Sequence, residues 1–176
     1  MNRRDMIVTL SGVVATSALL AASTNPALAQ APAGPTLSLA KYKTQTLMAG
    51  TYSKETSQLA IAQASHPKVK EFGQFEASEQ TAVAQVLTDV NNPPPAPLDP
   101  KHATLLQQLQ GMSGKAFDAA YVQGQIDGHQ ELLNIQQSYL NGVPTNLDHR
   151  HIAILSRMAI QMHLTMLQDI QGMLAA

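Results

Sequence analysis

From residue 38 onward, apolar side chains recur at intervals of three and four, the period of a helix buried along one face. No stretch alternates in twos as a half-buried strand does. The pattern predicts a first helix over residues 38–64. His66-Pro67 breaks it, and proline suits the first turn of the helix that follows over residues 67–91. The run Asn92-Pro93-Pro94-Pro95-Ala96-Pro97 fits neither helix nor central strand and predicts a stiff connection. Asp99-Pro100 opens a short helix that reaches Gln110 and stops at Gly111. Ser113 caps a third long helix ending near Leu140, ahead of Asn141-Gly142 and Pro144. Asn146 or Asp148 caps a fourth that continues to the C-terminus. Short links after helices one and three imply two antiparallel pairs. The predicted fold is all-α: an antiparallel four-helix bundle with a short extra helix in the link between helices two and three.

Polar groups interrupt the apolar stripes at particular places. Helix two sets Val69, Phe72, Glu76, Glu79, Val83, Val86 and Val90 at heptad-like spacing, with two carboxylates in mid-seam. Helix one places Glu55 among Met48, Tyr52, Leu59 and Ala62. His129 stands with Tyr121, Gln125, Leu132 and Leu133 on helix three, and His163 with Ala159, Met166 and Ile170 on helix four. At about 1.5 Å of rise per residue from the two turns, carboxylates and histidines fall within roughly two helical turns of one another. An ionised carboxylate inside a bundle is costly unless a cation or hydrogen bonds compensate. Glutamates from two helices and a histidine from each of the others would suit Fe, Mn or Zn. The candidate ligands are Glu55, Glu79, His129 and His163, with Glu76 as a fifth.

Each of these residues also has a plainer reading: a seam glutamate leaning into solvent, or a core histidine satisfied by hydrogen bonds. Met158, Met162 and Met166 lie at i, i+4 and i+8, which is ordinary core spacing rather than a copper site. Asp148, His149 and His151 are accounted for by capping and solvation at the start of helix four. His66 and His102 fall at a loop or a helix start. Asp118 and Tyr121, one turn apart, fit hydrogen bonds to a neighbouring segment better than chemistry.

The first thirty residues have a different character. Arg3-Arg4 precedes an uncharged stretch over residues 6–22 that is too short and too mildly apolar to span a bilayer comfortably. Ala27 and Ala29 then offer an A-x-A site with cleavage after Ala29, which completes a secretory signal. Arg3-Arg4-Asp5-Met6-Ile7 looks like a twin-arginine signal, and a general secretion signal is the alternative. The expected organisation is a signal peptide over 1–29, a leader over 30–37 and one helical-bundle domain over 38–176, delivered to the periplasm. Net charge is −1 without a basic cluster, so no nucleic-acid footprint is present. The chain has no cysteine, which excludes thiolate ligands, Cys nucleophiles and disulfides.

Taken together, these segments resemble the exported bacterial ferritin-like proteins of domain-of-unknown-function family 4142. The likeness extends from about Ala49 onward. Its best segment is Ser113-Gly114-Lys115-Ala116-Phe117-Asp118-Ala119-Ala120-Tyr121-Val122, similar to the family's S-G-x-x-F-D-x-x-Y-V, followed by a histidine here at position 129. Glu55 with Leu59-Ala60, then Val69-Lys70-Glu71-Phe72, resembles the first hairpin, and His163 matches the single histidine of helix four. The resemblance implies a ferritin-like fold and an exported location. Two departures stand out. Glu79-Gln80 occupies the place of the family's usual Asp-His pair. Ile126 and Ile160 stand three residues before the two histidines, where the Glu-x-x-His pattern of di-iron proteins would need glutamate.

Two functions follow from different classes. One is a periplasmic bundle that binds a divalent metal ion through core Glu and His side chains. The other is a non-enzymatic envelope or stress-related interaction protein, with a homo-oligomer or envelope component as partner and no metal. Nothing in the chain forms a nucleophile elbow or a catalytic triad, and no transmembrane segment is expected in the mature form.

Overall fold

The computed structural model describes residues 34–91 and 96–176. The signal peptide expected over 1–29, the leader as far as residue 33 and the prolines at 93–95 lie outside the described residues. Every described element is a helix: α1 (Leu39–Gln63), α2 (Pro67–Asn91), α3 (Pro100–Gln110), α4 (Gly114–Asn141) and α5 (Leu147–Ala175). The predicted order of four long helices and one short one is all present.

Local chemistry explains the ends. Ser38 Oγ accepts the Lys41 amide, and Asp99 Oδ1 accepts the His102 amide at 2.8 Å. For α5 the choice between two caps falls on Asn146, whose Oδ1 accepts the His149 amide at 3.1 Å. Ser113 occupies the cap position of α4, but its hydroxyl makes no capping bond. The chain enters that helix through Gly114 at φ 60°, a left-handed conformation that glycine adopts without a Cβ penalty.

Pairings across the helices fix their relative directions. Gly50 faces Gln80, Ser53 bonds to Glu76, and Ala60 packs on Gly73, so α1 and α2 run antiparallel. Gln123 with Gln171, His129 with His163 and Arg157 with Gln137 show the same for α4 and α5. Thr46 with Gln136 and Ser57 with Tyr121 make α1 antiparallel to α4. α2 meets α5 more loosely than the other pairs meet, and α3 lies against α1 and α4. The result is a helical bundle with two apolar clusters. One gathers Val69, Phe72, Phe117, Tyr121, Leu167 and Ile170; the other gathers Tyr42, Leu87, Leu132, Tyr139, Ala153 and Ile160.

The seams differ from the sequence expectation in phase. The buried face of α1 is Tyr42, Thr46, Ala49, Gly50, Tyr52, Ser53, Thr56, Ser57 and Ala60. Of the expected stripe only Tyr52 is buried; Met48, Glu55 and Leu59 are half-buried and Ala62 is exposed. The cause is that the inward face is built from small hydroxyl-bearing side chains, which carry no hydrophobic signal. On α2, Val69, Phe72 and Glu76 are buried as expected, but Val86 and Val90 point outward and Leu87 takes the core position. Met158, Met162 and Met166 are 58%, 57% and 36% exposed, so core packing does not explain their spacing.

Asp118 anchors the first link. Its Oδ1 accepts the Ser65 amide at 3.0 Å, and its Oδ2 accepts the His66 amide at 2.9 Å together with the Ser65 hydroxyl. One buried carboxylate thus satisfies the backbone donors that the break between α1 and α2 leaves open. Tyr121 shares a 2.8 Å hydrogen bond with Ser57. Both residues do structural work between α1 and α4.

Candidate metal centre

Between the two apolar clusters the core becomes polar. Glu76 of α2, His129 of α4 and His163 of α5 are all buried, at 0%, 0% and 5% exposure, and their ligand atoms converge. Glu76 Oε2 lies 3.3 Å from His129 Nε2 and 3.1 Å from His163 Nδ1, and the two nitrogens lie 3.2 Å apart. Metal bonds of about 2.0–2.2 Å separate adjacent donors by roughly 3.0 Å at right angles and roughly 3.4 Å at the tetrahedral angle. The observed triangle falls between these values. It needs no rearrangement to cap a first-row cation on one face.

Neighbours set the orientation of each donor. His129 Nδ1 lies 2.8 Å from the Gln125 carbonyl, which can only accept, so Nδ1 carries a hydrogen and Nε2 is the nitrogen turned to the triangle. His163 turns Nδ1 inward and Nε2 outward, the latter 3.4 Å from Glu79 Oε2. Glu76 Oε1 accepts from the Ser53 hydroxyl at 2.6 Å and from Gln80 Nε2 at 2.9 Å. The other oxygen, Oε2, is buried and close to both imidazoles, yet no neighbour meets it in hydrogen-bond geometry. A buried carboxylate oxygen with a free lone pair, facing two imidazole nitrogens, is the donor set a divalent cation requires. Phe72 closes the site from below, its ring centroid 6.0 Å from His129 and 5.6 Å from His163.

The electrostatics agree with the geometry. Burial pushes the Glu76 carboxyl up, but the His129 and His163 imidazoles and the Ser53 hydroxyl outweigh it and hold the group well below the usual carboxylate range. Burial pulls the His163 imidazole down, while Glu76 and Glu79 more than compensate and raise it. Glu79 is itself raised, chiefly by burial, with partial relief from His163.

Of the residues singled out from the sequence, His129, His163 and Glu76 come together. Glu79 stands next to them, on the outward nitrogen of His163. Glu55 is not part of the convergence; on α1 the residue that reaches Glu76 is Ser53, two positions earlier. Ser53 and the role of Gln125 were not singled out from the sequence, and Gln80 stood out there only beside Glu79 as a departure from an Asp-His pair. Gln125 Nε2 donates to Thr56 Oγ1 at 2.8 Å, and Ser53 Oγ lies 2.7 Å from Gln125 Oε1, which ties α1 to α4 beside the site. The available signal was Ser53, Thr56, Ser57 and Ala60 at intervals of three and four, a helix face of small residues. Gln80 Nε2 donates to Glu76 Oε1 at 2.9 Å.

No helix among the described residues is long and apolar enough to cross a membrane. No curated protein and no solved structure matches the chain. Residues 23–170 match the family described as a domain of unknown function, DUF4142, and the chain belongs to that family.

Proposed function

We propose that this protein is an exported helical bundle that binds one divalent first-row metal ion through Glu76, His129 and His163. The carrying observation is the triangle of 3.1, 3.2 and 3.3 Å between one buried carboxylate oxygen and two imidazole nitrogens. Two histidines and one carboxylate suit Fe(II), Mn(II) or Zn(II) and leave coordination positions open. Glu79 acts as the outer carboxylate that orients His163, and the Gln125 carbonyl does the same for His129. Bound metal would supply a Lewis-acidic centre. The chain itself supplies three buried donors, a His129 ring whose Nδ1–H is held by the Gln125 carbonyl, and a carboxylate already ionised.

The arrangement in which α2 and α4 are joined by a long crossover containing α3 favours a ferritin-like four-helix bundle. The N-terminal pattern favours export to the periplasm, with cleavage after Ala29 and twin-arginine transport as the preferred route. That route carries folded proteins and suits a chain loaded with metal before export.

The test uses the full precursor, expressed and recovered in mature form without chelators or a histidine tag. Bound elements are measured by mass spectrometry, beside Glu76→Ala and His163→Ala. Near-stoichiometric Fe, Mn or Zn that disappears in both variants is the expected result. Protein that stays metal-free after reconstitution, with both variants equally folded, would leave the interaction-protein reading in its place.

A further inference from the structure

A cavity lies apart from Glu76, His129 and His163, where α3 covers the outer side of α1 and α4. It holds about 360 Å³ and is bordered by Tyr52, Lys101, His102, Leu105, Leu109 and Asp127, among others. That volume falls at the small end of the range for sites that hold small organic ligands. Leu105, Leu109, Met112 and Ala120 give it an apolar part, and Tyr52, Lys101, His102, Asp127 and Glu131 are among the polar groups on its wall.

Tyr52 is one of the cavity's polar groups. Its side chain is 5% exposed, and its hydroxyl has no hydrogen-bond partner among the described residues. The ring packs edge-on against His102, centroids 4.8 Å apart, and lies over two glycines of α4. A Cβ at Gly124 would stand 3.1 Å from the Tyr52 hydroxyl, and one at Gly128 3.7 Å from the ring. Two glycines in mid-helix cost helix stability relative to alanine, and here their bare backbone makes room for the tyrosine. Asp127 and Glu131, one turn apart on α4, also border the cavity. Glu131 is already engaged by Lys101 at 3.0 Å and faces His102 Nε2 at 3.4 Å. Asp127 receives only a neutral donor, Gln123 Nε2, at 2.9 Å. Both carboxylates push the Tyr52 phenol up in addition to its burial, which places negative potential on the hydroxyl.

An aromatic ring with a free hydroxyl, a carboxylate lacking a cationic partner and an apolar part together select a positive charge on a hydrocarbon chain. We propose that the cavity between α1, α3 and α4 binds a small organic cation of the alkylammonium class. The ammonium sits between Asp127 and the Tyr52 hydroxyl, and the chain lies on Leu105, Leu109 and Met112. The site is separate from the metal centre and does not depend on it.

The probes are hexylammonium, hexanoate and hexanol, three molecules of one chain length that differ in head group, titrated calorimetrically into the mature protein. Saturable binding of hexylammonium, at least tenfold tighter than either other probe, is expected. Tyr52→Phe and Asp127→Asn should each weaken it severalfold, with unchanged helical circular dichroism, while His163→Ala should leave it unaltered. Equal binding of the three probes would show a purely apolar cavity and overturn the proposal. Preference for hexanoate, no saturable binding up to millimolar concentration, or loss only in His163→Ala would overturn it too.

Discussion

His102 and His149 are as deeply buried as His129 and His163, yet the two pairs do opposite things. Each of the first two is the third residue of its helix and turns Nδ1 onto the oxygen that caps that helix. His102 Nδ1 lies 2.8 Å from Asp99 Oδ1, and His149 Nδ1 lies 2.8 Å from Asn146 Oδ1, the same atoms that accept their backbone amides. Aromatic rings cover both, Tyr52 over His102 and Tyr42 over His149. The second pair comes from different helices and aims nitrogen atoms at one another and at a carboxylate oxygen. Burial therefore does not mark a ligand. What marks one is the convergence of several acceptors that no local hydrogen bond can satisfy.

The largest effect that could break this contrast is on metal affinity. In cobalt or zinc titrations, His129→Ala and His163→Ala should each weaken binding by more than the roughly 10–100-fold that loss of an outer partner costs. His102→Ala and His149→Ala should leave it within about twofold, because they touch no ligand. Equal losses in all four variants would refute the division. Next comes Glu79→Ala, expected to weaken binding about tenfold by freeing the outward nitrogen of His163 while all three donors remain. An unchanged affinity would show that packing alone orients that ring.

Smaller effects concern stability. Asn146→Ala removes the cap of α5 and one partner of His149, for an expected loss of about 1–2 kcal/mol in urea unfolding. Metal affinity should not change. The smallest effect is in pH. Burial, together with the Lys43 charge, depresses the His149 imidazole. A histidine lowered in the folded state contributes stability that is complete above its unfolded value and declines as pH falls through the folded one. His163 is raised, so its contribution has the reverse sign: present at low pH and lost as pH rises. In metal-free protein, thermal melts between pH 7 and pH 5 should show a decline that His149→Gln reduces. A decline identical in the variant would assign it to other groups.

The same contrast shows how much of the molecule was legible in advance. Helix ends were readable because capping residues and prolines act on their immediate neighbours: Ser38, Pro67, Asp99 and Gly111 mark the chain where it turns. His129 and His163 were readable because they interrupt otherwise apolar faces of α4 and α5. On α2 the sequence favoured Glu79 and held Glu76 only as a fifth candidate, because both lie on one side of the helix within a turn; Glu76 is the one that joins the histidines. The choice of Glu55 on α1 came from extending an apolar stripe that the folded helix does not use. Two positions along a helix rotate a side chain by about 200°, enough to put Ser53 on the core side expected for Glu55.

The sequence by itself determined the five helices and where most of them start and stop, the absence of thiol chemistry and the presence of carboxylates and histidines where apolar side chains would be expected. These are properties of short range, set by backbone propensities and the spacing of side chains along one helix. Only the tertiary structure decided that Glu76 and not Glu55 meets the histidines, that Ser53 and Gln80 hold its other oxygen, and that Asp118 ties down a link fifty residues away. It also decided that the methionine row of α5 faces outward and that α3 roofs a cavity over Tyr52. Each of these depends on the rotation of one helix against another. That rotation is set by how small side chains such as Gly50, Gly73 and Gly124 let neighbouring surfaces approach, which no single helix encodes alone.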